Sequence, residues 1–372
     1  MLNFSLVLQR LDAHKEKLKR ANNAALFELS KFVKENLANS VFQEKIKKSA
    51  EKQNVPSWQG LFGATQKLSN NSKDYRILAV DGSQIWPDRQ TGSADIALVQ
   101  IAGVLFDYGA SKSATHYFSE VELLFAQDFK GVSFDKNLVE QARDLLELQC
   151  AVKWAQESAL APIILMDGSL NFLRERFAAQ EKLAYKNFGE RFFKSLAALE
   201  EQKITTVFYT SRPASKKFVE LLRMEHCVAP YFDKTDCSGA CGQIACQKLS
   251  QIDDALLFGE LLDSQEASQF FTTADTETSV QSCFLNTARQ GKVFGGEIAK
   301  LELVNEQDSF LEQIFDQAVK GQGYPIALAM AHHCAMINYA EQKKFEQLCT
   351  QFVDKKNQDY SKKLLCKKYV YF

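Results

Sequence analysis

The residues best placed to do chemistry are two aspartates that share a setting. Arg76-Ile-Leu-Ala-Val-Asp81-Gly82-Ser83 and Pro162-Ile-Ile-Leu-Met-Asp167-Gly168-Ser169 each run an apolar stretch straight into Asp-Gly-Ser. Such a stretch, short and bounded by turn residues, suits a strand buried on both faces. A carboxylate delivered by a buried strand is costly unless something pairs with it. Two of them at one sheet edge repel each other unless a cation sits between them. Hard carboxylate oxygens select Mg²⁺ or Mn²⁺. Two such ions about 3.5–4 Å apart hydrolyse phosphodiesters, one activating water and the other stabilising the leaving oxygen. Taken singly, Asp-Gly after a strand is a turn signal. Repeated on two similar strands, it points to a metal site shared by Asp81 and Asp167.

A third carboxylate is expected from the helix before the second strand. There Leu145, Leu146, Leu148, Cys150, Ala151, Val152, Trp154 and Ala155 point almost all round the axis, and a helix apolar on every face is buried. Glu147 lies inside this run and is the candidate. Glu140, two turns earlier, competes with it, and an ion pair with Arg143 is the structural alternative for Glu147. Further on, Tyr324 of Gly323-Tyr324-Pro325 precedes a helix N-terminus, and His332 lies two turns inside that helix. A helix N-terminus suits phosphate, and a His or Tyr beside it can move a proton. A lone His on an apolar helix is more often a core residue; of His332 and His333, at most one can face inward. Arg212 and Lys216, after the strand that ends in Tyr209-Thr210-Ser211, are candidate DNA phosphate contacts, as are Ser83 and Ser169. The alternative for Arg212 and Lys216 is a turn and a helix cap. Cys227, Cys237, Cys241 and Cys246 lack the tight C-x2-C pairs of zinc ribbons, so no zinc is expected.

The elements that must position these residues follow from periodicity. Residues 1–53 read as helix, with Leu8, Leu11, Leu18, Leu26 and Leu29 at helical spacing, and 54–74 as loop. Three closely connected strands follow: the first Asp-Gly-Ser strand, Ile96–Asp107 and Thr115–Phe125. Then come a helix at Asn137–Leu160, the second Asp-Gly-Ser strand, a helix at Leu170–Gln202, a strand at Ile204–Tyr209 and a helix at Ser215–His226. The order βββ-α-β-α-β-α is that of the RNase H-like fold, in which the first and fourth strands are neighbours; that adjacency is an analogy to the fold. Residues 227–250 are irregular and Cys/Gly/Ser-rich, and Ile252–Leu262 reads as helix. Val280–Thr287 and Glu297–Val304 form a candidate hairpin through Gln290-Gly291. Helices at Asp308–Lys320 and Pro325–Leu348 close the domain. The expectation is an α/β chain: an N-terminal helical arm (1–60), an RNase H-like mixed sheet flanked by helices with a helical or irregular insertion (75–350), and a basic tail (351–372).

Composition narrows the classes. The apolar fraction is 46% and the charged fraction 24%, as in globular proteins. With 45 basic and 46 acidic residues there is no global basic field, so any nucleic-acid site must be local. Nine unpatterned cysteines suit a reducing cytosol. The N-terminus has no apolar signal core, and the run Ile96–Phe106 is too short to span a bilayer, so no membrane is expected. There is no Walker A, G-x-G-x-x-G or G-x-S-x-G motif.

Val80-Asp81-Gly82-Ser83, Leu165-Met166-Asp167-Gly168-Ser169-Leu170, Tyr209-Thr210-Ser211-Arg212-Pro213 and Gly323-Tyr324-Pro325 through Ala331-His332 together resemble the NurA family of DNA repair nucleases, in its bacterial branch, over roughly residues 75–368. The resemblance implies an RNase H-like fold and Mn²⁺-dependent nuclease action, with Mg²⁺ as the other hard-ligand choice. It implies 5′-to-3′ exonuclease and single-strand endonuclease activities in resection of DNA ends and double-strand break repair. It also implies a homodimer docked on a hexameric HerA-type ATPase. By motif match Asp81 and Asp167 are metal ligands, and Tyr324 and His332 are active-site residues. Glu147 follows by helix position alone, and His333 stands where an acidic residue is expected. Two other classes stay open: an actin- or acetate-kinase-like phosphotransferase, which needs a second phosphate loop not found here, and an inactive repair scaffold, against which both aspartates argue.

Overall fold

The computed structural model describes residues 3–14, 23–52, 55–69, 74–87, 95–109, 113–158, 160–178, 183–226, 252–273, 280–289, 296–304 and 310–352. In chain order the elements are α1 (Phe4–Ala13), α2 (Asn23–Asn36), α3 (Ser40–Lys52), β1 (Ser57–Trp58), β2 (Thr65–Lys67), β3 (Tyr75–Ile85), β4 (Ile96–Tyr108) and β5 (Ala114–Phe125). Next come α4 (Lys136–Glu157), β6 (Ile163–Asp167), α5 (Leu170–Ala178), α6 (Leu183–Glu201), β7 (Thr206–Ser211), α7 (Lys217–His226) and α8 (Asp254–Leu261). The remainder are β8 (Glu266–Ser268), β9 (Phe271–Thr273), β10 (Val280–Asn286), β11 (Ile298–Leu303), α9 (Phe310–Lys320), α10 (Ile326–Ala335) and α11 (Tyr339–Phe352). The cysteine-rich segment with Cys227, Cys237, Cys241 and Cys246, the turn at Gln290-Gly291 and the basic tail lie outside the described residues. Among the described residues no helix is long and apolar enough to cross a membrane.

The chain divides into two compact units. One comprises Leu68–Thr210, Gly291–Gly296 and Leu301–Phe372. Its sheet runs β7-β6-β3-β4-β5: β3, β4 and β5 form an antiparallel meander, while β6 and β7 are parallel to β3. This is the strand order of the RNase H-like fold expected from the element sequence. Side chains alternate across the sheet. On β3 the odd positions face α10, where Ser83 donates to the Ala335 carbonyl. The even positions face α4, where Gln84 meets Arg143. Ile77, Leu78, Ala79 and Val80 are therefore buried from both sides. The apolar stripe of α4 (Leu138, Leu145, Leu148, Ala151) packs on one face, and Ala327, Leu328 and Ala331 of α10 on the other. Asp135 caps α4 by accepting from the Leu138 amide at 3.2 Å.

The other unit comprises Met1–Lys67, Ser211–Gln290 and Glu297–Lys300. Within the stretch expected as a helical arm, 1–60, α2 and α3 share a core with the later segment. Leu29, Val33 and Ile46 join Phe62, Phe218, Phe258, Phe271 and Phe284, all buried. Phe258 and Phe284 stack at 3.9 Å between centroids. The phenylalanines supply the area that gives the leucine stripes of these helices somewhere to go. Short strands β1, β2, β8 and β9 also occur here, without the alternation that would have announced them.

Three boundaries differ from the periodic reading. Among the described residues, 1–53 hold three helices, and Asn39 opens α3 by accepting from the Val41 and Phe42 amides. The expected helix at Pro325–Leu348 is two helices, because Asn338 and Glu341 form a reciprocal capping box (3.0 and 2.9 Å) that starts α11 afresh. Among the described residues, the stretch 170–202 likewise holds two helices, α5 and α6.

Candidate metal centre

Val80 of β3 pairs in parallel register with Met166 of β6, so the next residues, Asp81 and Asp167, stand level on adjacent strands. Their strands differ, however. β6 ends at Asp167 as expected, whereas β3 runs on through Gly82 and Ser83 to Ile85, paired with Leu98–Ala102 of β4. Asp81 thus lies inside its strand, at the point where the parallel neighbour stops. The sheet steps back there, and the step opens Asp81 on the side that Asp167 shares.

Gly168 turns the chain sharply after Asp167 with φ +106, a conformation that glycine adopts without Cβ strain. Partial burial, with the charge of Asp81 next in importance, raises the Asp167 carboxyl above the usual carboxylate range. A hydrogen bond from Tyr324 opposes this. Tyr324 precedes α10 and packs edge-on against Tyr209, 5.4 Å between centroids.

Glu147 comes in from α4 beneath β3. Burial pushes its carboxyl well above the ordinary range, and the charges of Asp144, Asp81 and Asp167 push the same way, while Arg143 opposes them. Glu147 lies close enough to both aspartates for their charges to act on it, and it forms an ion pair with Arg143 at 3.1 Å. The close approach requires Gly82. A Cβ at that position would lie 2.6 Å from Glu147 Oε1 and 2.8 Å from Arg143 Cγ. Glu140 points elsewhere and pairs with Arg176 at 3.3 Å. Arg176 also donates to buried Asp144 at 2.6 Å, and Asp144 in turn accepts from Arg143 at 2.8 Å. The competing carboxylate thus belongs to a supporting ion-pair chain.

His332 is no core residue. It is 75% exposed, and its Nδ1 lies 2.7 Å from Asp81 Oδ2. His333, also exposed, is the next residue round the helix. The C-terminal carbonyls of α10 are tied to β3, which carries Asp81, and to its neighbour β4: Gln100 of β4 donates to Cys334 O at 3.1 Å, and its cross-strand partner Ser83 donates to Ala335 O. Ser83 is therefore engaged within the protein, where the sequence suggested a phosphate contact. The same holds for Ser169, whose hydroxyl donates to Glu302 at 2.8 Å. Arg212 and Lys216 belong to the other unit and are exposed. Arg212 has φ 44, and its amide donates to the Ile298 carbonyl.

Asp81, Glu147, Asp167, Tyr324 and His332 thus come near one another from two strands, β3 and β6, and two helices, α4 and α10 with the residues just before it. Among the described residues no three or more His, Cys, Asp or Glu side chains stand ready-made as an ion's ligand set. Arg143 pairs with one oxygen of Glu147, and the His332 ring lies against one oxygen of Asp81. The donors themselves fit a hard divalent cation. They are carboxylate oxygens whose mutual repulsion a cation relieves.

A family model described as the NurA domain matches residues 75–337. No curated protein matches. Among solved structures, a NurA with manganese and a NurA bound to dAMP and manganese are each 12% identical to this chain with TM-score 0.42. They cover 91% and 92% of it, and 99% and 98% of their own lengths. A type 1 RNase H with the type 2 active-site motif matches at 9% identity and TM-score 0.25, over 40% of this chain and 69% of its own.

Proposed function

The chain belongs to the NurA domain family, and from that premise we propose that it is a divalent-metal-dependent DNA nuclease of the cytoplasm, acting on DNA ends during repair. Membership supports a nuclease-type function in DNA repair. The observation that carries the reading to these residues is the level placement of Asp81 and Asp167 on adjacent parallel strands, with the buried Glu147 beside both.

Asp81, Glu147 and Asp167 would hold the metal, Mn²⁺ or Mg²⁺. When bound, the metal supplies a Lewis acid and a water activated for attack on phosphorus. The rest is the work of this chain's own side chains. Tyr324 donates to Asp167 and fixes which way its carboxylate turns. His332, held against Asp81 yet open to solvent, orients that carboxylate and can take or give a proton at a phosphate oxygen. The Arg143–Asp144–Arg176 chain holds Glu147 from behind. Arg212 and Lys216 offer positive charge for the DNA backbone.

The finer reading carries over 5′-to-3′ exonuclease and single-strand endonuclease activity, a homodimer and a HerA-type ATPase partner. Incubation of end-labelled single- and double-stranded DNA with Mn²⁺, with Mg²⁺ and with chelator tests the activity. Cleavage should need the metal and vanish in a folded Asp81→Asn variant. A folded wild type that cleaves neither substrate, or a fully active Asp81→Asn, refutes the reading. Co-elution with a HerA-type ATPase on gel filtration tests the partner, and separate elution at micromolar concentration refutes it.

A further inference from the structure

Glu302 on β11 is fully buried, in a strand where Ala299, Leu301 and Leu303 are also buried. A carboxylate in such a place persists only if donors converge on it. They do. Oε2 accepts from the Ser169 hydroxyl at 2.8 Å and the Asn171 amide at 3.0 Å, and Oε1 accepts from the Asn171 side-chain amide at 2.9 Å. The Ser169 hydroxyl in turn accepts from the Phe172 amide at 3.3 Å. The first turn of α5 is thereby closed by a charge from another strand, with the sign that a helix N-terminus favours.

The segment so gripped is the one that follows Asp167. Its other side is held too. The Gly168 amide donates to the Tyr209 carbonyl, and the Thr210 hydroxyl to the Gly168 carbonyl, each at 2.9 Å. Gly168 and Ser169 are thus fastened to β7 on one side and to Glu302 on the other, so Asp167 sits at the end of a strand whose exit is held from two sides.

We propose that Glu302 is a positioning residue for Asp167: it never meets the substrate, but sets the angle at which Asp167 offers its carboxylate to the metal. This rests on the nuclease reading above. A misplacement of 1 Å at a reacting centre can cost roughly 100-fold in rate. Glu302→Ala should therefore lower kcat about 10- to 100-fold with KM for DNA little changed, and weaken Mn²⁺ binding by calorimetry. Glu302→Gln keeps an acceptor oxygen and the shape, and should recover most of both. In metal-free protein, hydrogen exchange at the Asn171 amide should quicken at least about tenfold in Glu302→Ala, once its acceptor is gone.

A folded Glu302→Ala with wild-type kcat and Mn²⁺ affinity overturns the proposal, as does a kcat loss that only tracks the melted fraction. If Glu302→Ala does not fold, Asn171→Ala carries the test by deleting the Asn171 side-chain bond to Oε1. It should lower kcat several-fold at unchanged KM, and an unchanged kcat overturns the proposal. Wild type that neither binds Mn²⁺ nor cleaves DNA would fell the nuclease reading instead. Unaltered Asn171 exchange in Glu302→Ala would fell the clamp whatever the activity.

Discussion

Replacing Asp167 by Asn should make the metal-free protein more stable while abolishing cleavage. Asp81 and Asp167 stand level on paired strands, and such strands lie about 4.8 Å apart. Two unit charges roughly 5 Å apart repel by ~3 kcal/mol at an effective dielectric of about 20. Asp167 is open to water on one side, which screens part of this and leaves about 1–2 kcal/mol. Asn keeps the shape and an oxygen for the Tyr324 hydroxyl, so the relief is nearly undiluted. For a chain of this length the melting temperature should rise by roughly 1–3 °C. Mn²⁺ at about 100 times its dissociation constant stabilises wild type by ~2.7 kcal/mol through mass action; the variant, short of one ligand, should gain much less. The assay is thermal melting of both proteins in chelator and in Mn²⁺, with DNA cleavage measured on the same samples. A variant that melts lower than wild type in chelator, and gains as much from Mn²⁺, would refute the reasoning and make the pair structural.

Three further outcomes follow from the same geometry. Asp167 and Glu147 have carboxyls raised by burial and mutual repulsion, so their stabilising contribution is present below the folded pKa and is lost as pH rises through it; metal-free wild type should gain melting temperature relative to Asp167→Asn as pH falls from neutrality towards the ordinary carboxylate range, and parallel pH profiles would contradict this. Glu147→Gln should cut cleavage at least about 100-fold, whereas Glu140→Gln, which loses only a half-exposed pair with Arg176, should change turnover less than about twofold and stability by under ~1 kcal/mol; equal effects would unseat Glu147. His332→Ala should lower kcat far more than DNA affinity, while His333→Ala, about 100° further round the helix, should do little; equal losses would leave His332 without a special part.

The sequence exposed the centre of this fold more clearly than its margins. Two apolar runs end in Asp-Gly-Ser, with two strands and a long helix between the aspartates, and the order βββ-α-β-α-β-α suggests their adjacency by analogy to the RNase H-like fold, since few topologies close such a sheet. Tyr324 was legible from its seat before a helix. Glu147 was legible from its burial in an apolar helix, although only the geometry separates it from Glu140. Glu302 was not legible. In Ile298-Ala-Lys-Leu-Glu302-Leu it falls in step with Lys300 and reads as a solvent-facing position, and its partners lie 131 to 133 residues away. The split before α11 could have been read, since Asn338-x-x-Glu341 is a capping signal. The continuation of β3 past Asp81 could not, because it depends on the length of β4.

The tethering of α10 makes that helix a ruler. At its start Gln317, fully buried and bonded to the Tyr75 hydroxyl at 2.8 Å, accepts from the Ala327 amide at 3.2 Å. At its end Ser83 and Gln100 seize the last carbonyls. The distance between these moorings is a set number of residues, and His332 is read off along it. One added or missing residue would shift everything beyond it by about 1.5 Å and swing it about 100° round the axis, carrying His332 off Asp81 even if every other side chain were kept. Variation in this protein should therefore be cheap in the letters of α10's outer face and ruinous in its spelling length.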